Sequence, residues 1–256
     1  MLSKNITKIV QNLEKKKFRD KYNLFKIEGE KMVSELLLSS FKISVIYAGE
    51  KWLEQHESSL EGIRTECVTD SEMKSISSFS SLPEVMALAE IPAPVPTARI
   101  AVEKELILAL NGIQDPGNLG TIFRVADWFG IKHIVCDKDC ASIYNSKAVQ
   151  ASMGAIFRTE VSYTDIAGWL SEVSGRTGIF GTFLDGQNIY RTSLPPHGII
   201  VMGNEGHGIS SPIEKLVSCK LTIPSFSKGD FHSESLNVGV ATGIILSEFK
   251  RCQSLE

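Results

Sequence analysis

The chain lacks the features that would assign it to a membrane, a secreted scaffold or a common nucleotide enzyme. No apolar run approaches the ~20 residues that span a bilayer. The opening MLSKNITKIV has no continuous apolar core of the signal-peptide kind, which predicts a cytoplasmic protein with no membrane partner. Five cysteines, at 67, 136, 140, 219 and 252, form neither a disulfide framework nor a zinc-site spacing, so free thiols in a reducing compartment are expected. The histidines at 56, 133, 197, 207 and 232 make no HExxH or HxH pattern, and no metal is expected. Neither DPGNLGTI nor GNEGHGIS carries the Lys-Ser/Thr of a phosphate-binding loop or the spacing GxGxxG, and no GxSxG marks a hydrolase.

What is present is ordinary in amount and uneven in distribution. The 256 residues are 43% hydrophobic and 22% charged, enough for one large globular domain or two smaller ones. The net charge of −3 conceals a basic start. Residues 1–31 hold nine Lys/Arg against four Asp/Glu, leaving 18 against 26 in the remainder. A basic lobe on an acidic body is the footprint of a polyanion docking at one end. Lys15, Lys16, Lys17 and Arg19 also interleave with Phe18 and Tyr22, as stacking on RNA would use, although a solvated helix face gives the same pattern.

Residues 1–91 read as a small α/β/α domain. A helical period in Met32, Leu36 and Leu37 is followed by strand 43–48, helix 51–60, strand 66–68, helix 71–77 and strand 85–89. Ile91-Pro92-Ala93-Pro94-Val95-Pro96-Thr97 makes residues 92–104 an extended linker. Residues 105–256 then restart with Leu106–Leu110, an apolar run typical of a parallel strand buried on both faces. Helix to Trp128, strand 133–136, helix 146–154, a segment near Val161, helix 165–173, strands 179–184 and 198–202 and helix 211–216 predict a doubly wound parallel sheet. After a strand ending at Ile223-Pro224, Val238–Leu246 is a small-residue run with no solvent face, predicting a buried helix for which Ser235 is the candidate cap.

Three loops at strand C-ends, 111–120, 203–210 and 224–237, are rich in Gly or Ser and carry Asn111, Asp115, Asn118, Asn204, Glu205, Glu234 and Asn237. Ligands bind such sheets at these loops, but residue types alone leave the class of ligand open.

The loops themselves resemble a known family. Asn111–Ala126 looks like the first motif of the SpoU (TrmH-type) RNA ribose 2′-O-methyltransferases. Ile200–Ile209 is similar to their second motif, and Ile223-Pro224 with Ser235–Ala241 resembles their third. The N-terminal domain also resembles the family's ribosomal-protein-L30-like substrate domain, with Phe25–Gly29 in the matching place.

The resemblance implies an α/β domain closed by a deep trefoil knot, S-adenosyl-L-methionine as cofactor, a homodimer, and methyl transfer to a ribose 2′-hydroxyl in structured RNA. It implies rRNA ahead of tRNA, with a non-catalytic RNA-binding or ribosome-assembly protein of the same fold as the rival. By position, Arg124 is the catalytic arginine, with Asn118, Glu205, Ser235 and Asn237 in the same cleft and Glu205 orienting Arg124. Gly203, Ile223 and Leu236 match the cofactor contacts, and Thr182 is a further candidate for the cofactor wall. Residues 225–234 make a longer loop than the family pattern, and Phe226, Lys228 and His232 are candidate additional substrate contacts.

Overall fold

The structure, a computed structural model, describes residues 2–227 and 234–253. In chain order its helices are α1 (Lys4–Asn12), α2 (Lys16–Tyr22), α3 (Glu30–Leu37), α4 (Glu50–Gln55), α5 (Asp70–Ile76), α6 (Pro116–Trp128), α7 (Ser146–Ser152), α8 (Ile166–Val173), α9 (Ser211–Glu214) and α10 (Val238–Gln253). The strands are β1 (Leu24–Glu28), β2 (Ile43–Ala48), β3 (Thr65–Cys67), β4 (Val85–Glu90), β5 (Leu106–Leu110), β6 (His133–Asp137), β7 (Glu160–Thr164), β8 (Ile179–Asn188), β9 (Gly198–Met202) and β10 (Cys219–Thr222). By contact the chain divides into two compact units, Met1–Ala93 with Ser142–Phe157, and Pro94–Ala141 with Arg158–Glu256.

The first unit is built on a four-stranded sheet of order β1-β4-β2-β3, in which only β2 and β3 run parallel. β4 is central, which is why VMALA is buried without alternation. Val10 and Leu13 at the C-terminal end of α1 pack on Val45, Tyr47, Met73, Ile76 and Leu88. α5 starts in a capping box, Thr69 with Glu72. The segment 142–157 joins this unit because its aromatic and polar side chains are spent there. Tyr144 lies 5.0 Å from Phe25 between ring centroids, Phe157 meets Phe41 edge-on at 5.3 Å, and the Ser146 hydroxyl donates to Glu14 at 2.9 Å. A contiguous reading of the sequence has no way to see that exchange.

The second unit is a six-stranded, wholly parallel sheet of order β10-β8-β9-β5-β6-β7. α8 and α9 cover one face through Trp169, Leu170, Val173 and Ile213, packed on Ile107, Ala109, Val135, Ile199 and Val201. α6 and α10 pack together. α10 buries Ile245, Leu246 and Phe249, the last edge-on to Phe180 at 5.3 Å. Each such side chain contributes ~1.5–3 kcal/mol by leaving water.

α10 does have a solvent face, since Val240 is 53% exposed, and its cap is Asn237 rather than Ser235. β8 runs to Asn188, four residues past the expected end, because β10 pairs with it in two registers. Lys220 lies opposite Gly181, and Leu221 opposite Gln187. At that shift a Cβ on Gly186 would sit 2.5 Å from the Leu221 carbonyl carbon, so only glycine lets the two backbones approach this closely.

Candidate active site

In the six-stranded sheet, β5 and β9 are neighbours. The chain proceeds from β5 outward through β6 and β7, then returns to lay β8, β9 and β10 on the opposite side. That reversal leaves a crevice at the C-terminal ends of β5 and β9, where open parallel sheets take ligands. The loops there are stitched together by two buried or half-buried asparagines. Asn111 donates to Asp137 Oδ2 at 2.8 Å and accepts from the Ser210 N–H at 2.8 Å. Asn204 donates to the Gly112 carbonyl at 2.7 Å, while its Oδ1 accepts from the N–H groups of Gly206 at 2.8 Å and His207 at 3.1 Å. The 204–208 turn is closed by paired backbone bonds between Asn204 and Gly208. It folds back so tightly that a Cβ on Gly203 would lie 2.4 Å from the Gly208 carbonyl carbon.

α6 begins at this crevice. Asp115 caps it by accepting from the Asn118 N–H at 2.9 Å, with Pro116 in the first turn. Asn118 therefore sits in the first turn of a helix, not in a left-handed turn. Its side chain is engaged at both ends, donating Nδ2–H to Glu205 and accepting at Oδ1 from Asn237 Nδ2 at 2.9 Å. Asn237 Oδ1 in turn accepts from Gly239 N–H at 3.0 Å, capping α10. One chain of hydrogen bonds thus joins Glu205, Asn118 and Asn237, residues far apart in sequence. The close approach beneath it needs Gly239, where a Cβ would meet the Thr121 methyl at 2.9 Å. Ser235 is exposed beside this chain and has no hydrogen-bond partner among the described residues.

Arg124 lies two turns along α6 and is exposed. Glu205 accepts from Asn118 rather than pairing with Arg124 as expected, and among the described residues Arg124 has no ion-pair partner. It lines a cleft of about 830 Å³ between α6 and α10, with Thr121, Trp128, Tyr190, Val240 and Gly243. Trp128 is 86% exposed. An unpaired guanidinium beside uncovered aromatic surface can hold a phosphate or a developing oxyanion.

Around the expected cofactor wall, Thr182 donates to the Val201 carbonyl at 3.1 Å and Thr222 donates to that of Leu184 at 3.2 Å. Gly203 and Ile223 are half-buried, and Leu236 and Leu184 are exposed. Open aliphatic surface beside an accessible glycine backbone fits the flat apolar ring and polar edge of an adenosyl group. Among the described residues no cluster of His, Cys, Asp or Glu could hold a metal ion.

Cys140 donates to the Leu110 carbonyl at 3.1 Å and accepts from the Ile113 N–H at 3.3 Å, anchoring the loop after β5. The hydrogen bond from Cys136, aided by backbone N–H groups and opposed by burial, holds the Cys140 thiol below its usual range. Burial pushes Cys136 well up.

In the first unit, Lys15, Lys16 and Lys17 are exposed as expected. Phe18 and Tyr22 stack at 6.5 Å, with Lys17 and Lys21 ammonium groups 5.2 and 5.3 Å from their respective rings. Arg19 is different: it is 4% exposed and donates to the carbonyls of Leu13 at 2.9 Å and Glu14 at 2.8 Å. It holds the corner between α1 and α2 and is not available to RNA. Phe226 is 82% exposed; Lys228 and His232 lie outside the described residues.

Known proteins share this architecture. Residues 105–247 match the SpoU rRNA Methylase family, and residues 4–87 match the MRM3-like substrate binding domain. The 23S rRNA (guanosine(2553)-2′-O)-methyltransferase RlmP of Bacillus subtilis is 27% identical over 239 residues, covering 92% of each chain. The chain spans about three fifths of the length of the RlmB methyltransferases it also matches. Among solved structures, a Porphyromonas gingivalis protein placed in the TrmH family of RNA methyltransferases superposes with a TM-score of 0.84 at 33% identity, covering 98% of this chain and 99% of that one. An AdoMet-bound rRNA methyltransferase from Sinorhizobium meliloti gives 0.85 at 26% identity, covering 98% and 96%.

Proposed function

The chain belongs to the SpoU rRNA Methylase family, and from that membership we propose that it methylates a ribose 2′-hydroxyl of structured RNA, with 23S rRNA as the substrate. The observation that carries this reading is the Glu205–Asn118–Asn237 chain, which brings the three motifs to one crevice. S-adenosyl-L-methionine supplies the methyl group as a sulfonium substituent. Gly203, Ile223, Leu236 and Thr182 would hold it, the glycine by its backbone and the aliphatic side chains against the adenine.

The chain's own residues have two tasks, to align the ribose oxygen and to lower the cost of its developing charge. We assign the second to Arg124. A guanidinium stays protonated, so it acts as a hydrogen-bond donor rather than a base. Asn118, fixed at both amide ends, orients the ribose, and Ser235, which has no hydrogen-bond partner among the described residues, adds a further hydrogen bond. The exposed lysines of α2, with Lys15, attract the phosphates.

We further propose a homodimer through the α6–α10 face, because Trp128, Val240 and Tyr190 leave apolar surface uncovered around Arg124. We also propose a knotted path for the C-terminal segment, on the strength of the family membership. The cytoplasm is the compartment consistent with an rRNA substrate.

The test is transfer of labelled methyl from S-adenosyl-L-methionine to unmodified 23S rRNA, with tRNA as the comparison and the product mapped as a 2′-O-methyl nucleotide. No transfer to either RNA by the purified chain, despite cofactor binding, would leave the non-catalytic reading in its place. Trp128→Glu should separate the dimer in sedimentation.

A further inference from the structure

The first unit contains a cleft that the proposed reaction does not use. It opens where the parallel strands β2 and β3 end and encloses about 210 Å³, below the ~300–1,000 Å³ of sites for drug-sized ligands. Such a volume suits one ring system. Its wall is Trp52, and that indole is fixed from two sides. Its Nε1–H donates to Glu30, and His56 stacks on it at 4.1 Å between centroids, 14° from parallel. His56 is itself held, with Nδ1 2.9 Å from the Trp52 carbonyl and Nε2 3.2 Å from Glu30. Val68, Met73, Leu82 and Pro83 complete the apolar lining, and Leu82 is 45% exposed. The rim is polar: Gln55, Asp70 and Glu84, with Lys51 as its cation.

We infer that this cleft receives a single nucleobase extruded from the RNA, with guanine as the preferred base. The inference rests on the RNA-modifying function proposed above. Sequence-specific recognition of RNA works on unstacked bases placed against rigid side chains and read along their polar edge. The exposed Leu82 side chain takes a ring face, and the fixed, buried Trp52 indole backs the cleft. A carboxylate has two acceptor oxygens, and guanine is the base that presents an N–H and an NH2 side by side to meet them. Lys51 can follow the attached phosphate. An apolar protein side chain would make no use of the Gln55, Asp70 and Glu84 rim.

The experiment uses the full chain and unmodified 23S rRNA transcript. Gln55→Ala, Leu82→Ala and Asp70→Asn change exposed side chains, so folding is checked by unfolding midpoint and cofactor affinity, both expected to match wild type. Each substitution should weaken RNA binding about fivefold or more, the low end of what losing one stacked base costs. Transcript carrying 6-thioguanosine should photocross-link to the peptide holding Gln55 or to that holding Leu82. Variants that bind as wild type does, or cross-links confined to other peptides, overturn the cleft while leaving the methyl-transfer reading intact. Cross-linking there through 4-thiouridine instead overturns the preference for guanine. A wild-type chain that neither binds nor methylates RNA overturns the function proposed above, and the cleft with it.

Discussion

Asn237 Nδ2 donates to Asn118 Oδ1 at 2.9 Å, joining the start of α10 to the first turn of α6 across 119 residues. Because Asn118 spends its Nδ2–H on Glu205, its amide orientation is set from both ends. Asn118→Ala removes the middle of this chain without touching the cap of α6, which comes from Asp115. The expected outcome is a fall in kcat on the order of 10²-fold, the scale of losing one positioned donor. The unfolding midpoint should move little, because the site is exposed. Single-turnover methylation at saturating cofactor measures the first quantity and calorimetry the second.

Arg124 should behave differently from its neighbours, because it has no ion-pair partner among the described residues and faces the α6–α10 cleft. Arg124→Ala is expected to reduce transfer by ~10²–10³-fold, with cofactor affinity within about twofold of wild type by calorimetric titration. Arg124→Lys should recover only part of the loss, since a point charge cannot reproduce a planar fork. Normal turnover by the alanine variant would remove Arg124 from the reaction.

The sheet and the three loops were legible in the sequence because apolar runs such as Leu106–Leu110 and the punctuation by Gly and Pro are local signals. The pairing of Glu205 was not: an acidic side chain in a glycine loop has no pattern that distinguishes Asn118 from Arg124 as its partner. Arg19 misled for a related reason. A run of cations reads as a solvated face, and only the turn between α1 and α2 reveals two carbonyls that one guanidinium can satisfy. The transfer of Tyr144, Ser146 and Phe157 to the N-terminal unit was likewise invisible, since it depends on the partners Phe25, Glu14 and Phe41. Asn237 and Ser235 were both eligible caps by type, and two residues of spacing decided between them.

The thiols offer a probe of the loop after β5. Cys140 is held below the usual thiol range by the Cys136 hydrogen bond first, with burial opposing and the N–H groups of Ile113, Asp137 and Gly112 assisting. Its alkylation by iodoacetamide should therefore reach its plateau at a lower pH than that of a free cysteine. In Cys136→Ala, which removes the donor, the pH profile should shift upward. Peptide mass spectrometry across a pH series follows both changes, and identical profiles for the two proteins would discount the thiol pair.

The buried Lys26 organises the first unit. Its side chain is 1% exposed and lies 2.8 Å from Glu14 and 3.3 Å from Glu28. Lys26→Met leaves Glu28 buried without its cation and should cost ~3–5 kcal/mol in denaturant unfolding. For Glu14, burial raises the carboxyl, but bonds from Lys26, Ser78 and Ser146 together hold it below the usual range. A lowered folded value means that this stabilisation is present above the unfolded carboxylate pKa and is lost as pH falls through the folded one. Acid titration of the wild type should show that loss, and Lys26→Met should flatten it.

The close pairing of β10 on β8 gives a sharp test of the C-terminal path. At Gly186 an added Cβ would lie 2.5 Å from the Leu221 carbonyl carbon and 2.8 Å from its nitrogen. These are backbone atoms, so no side-chain rotation relieves the clash, and the two strands must separate where the register shifts from Lys220 to Leu221. Gly243 is the natural control, because a Cβ there meets only a Val125 methyl at 3.8 Å, an ordinary contact. Gly186→Ala should destabilise the chain by roughly 1–3 kcal/mol or more, as overpacking does, and should weaken cofactor binding through displacement of Ile223 two residues beyond Leu221. Gly243→Ala should be neutral or slightly stabilising, since it replaces glycine within a helix. Equal unfolding midpoints for the two variants would mean that the strands do not meet where Gly186 and Leu221 place them.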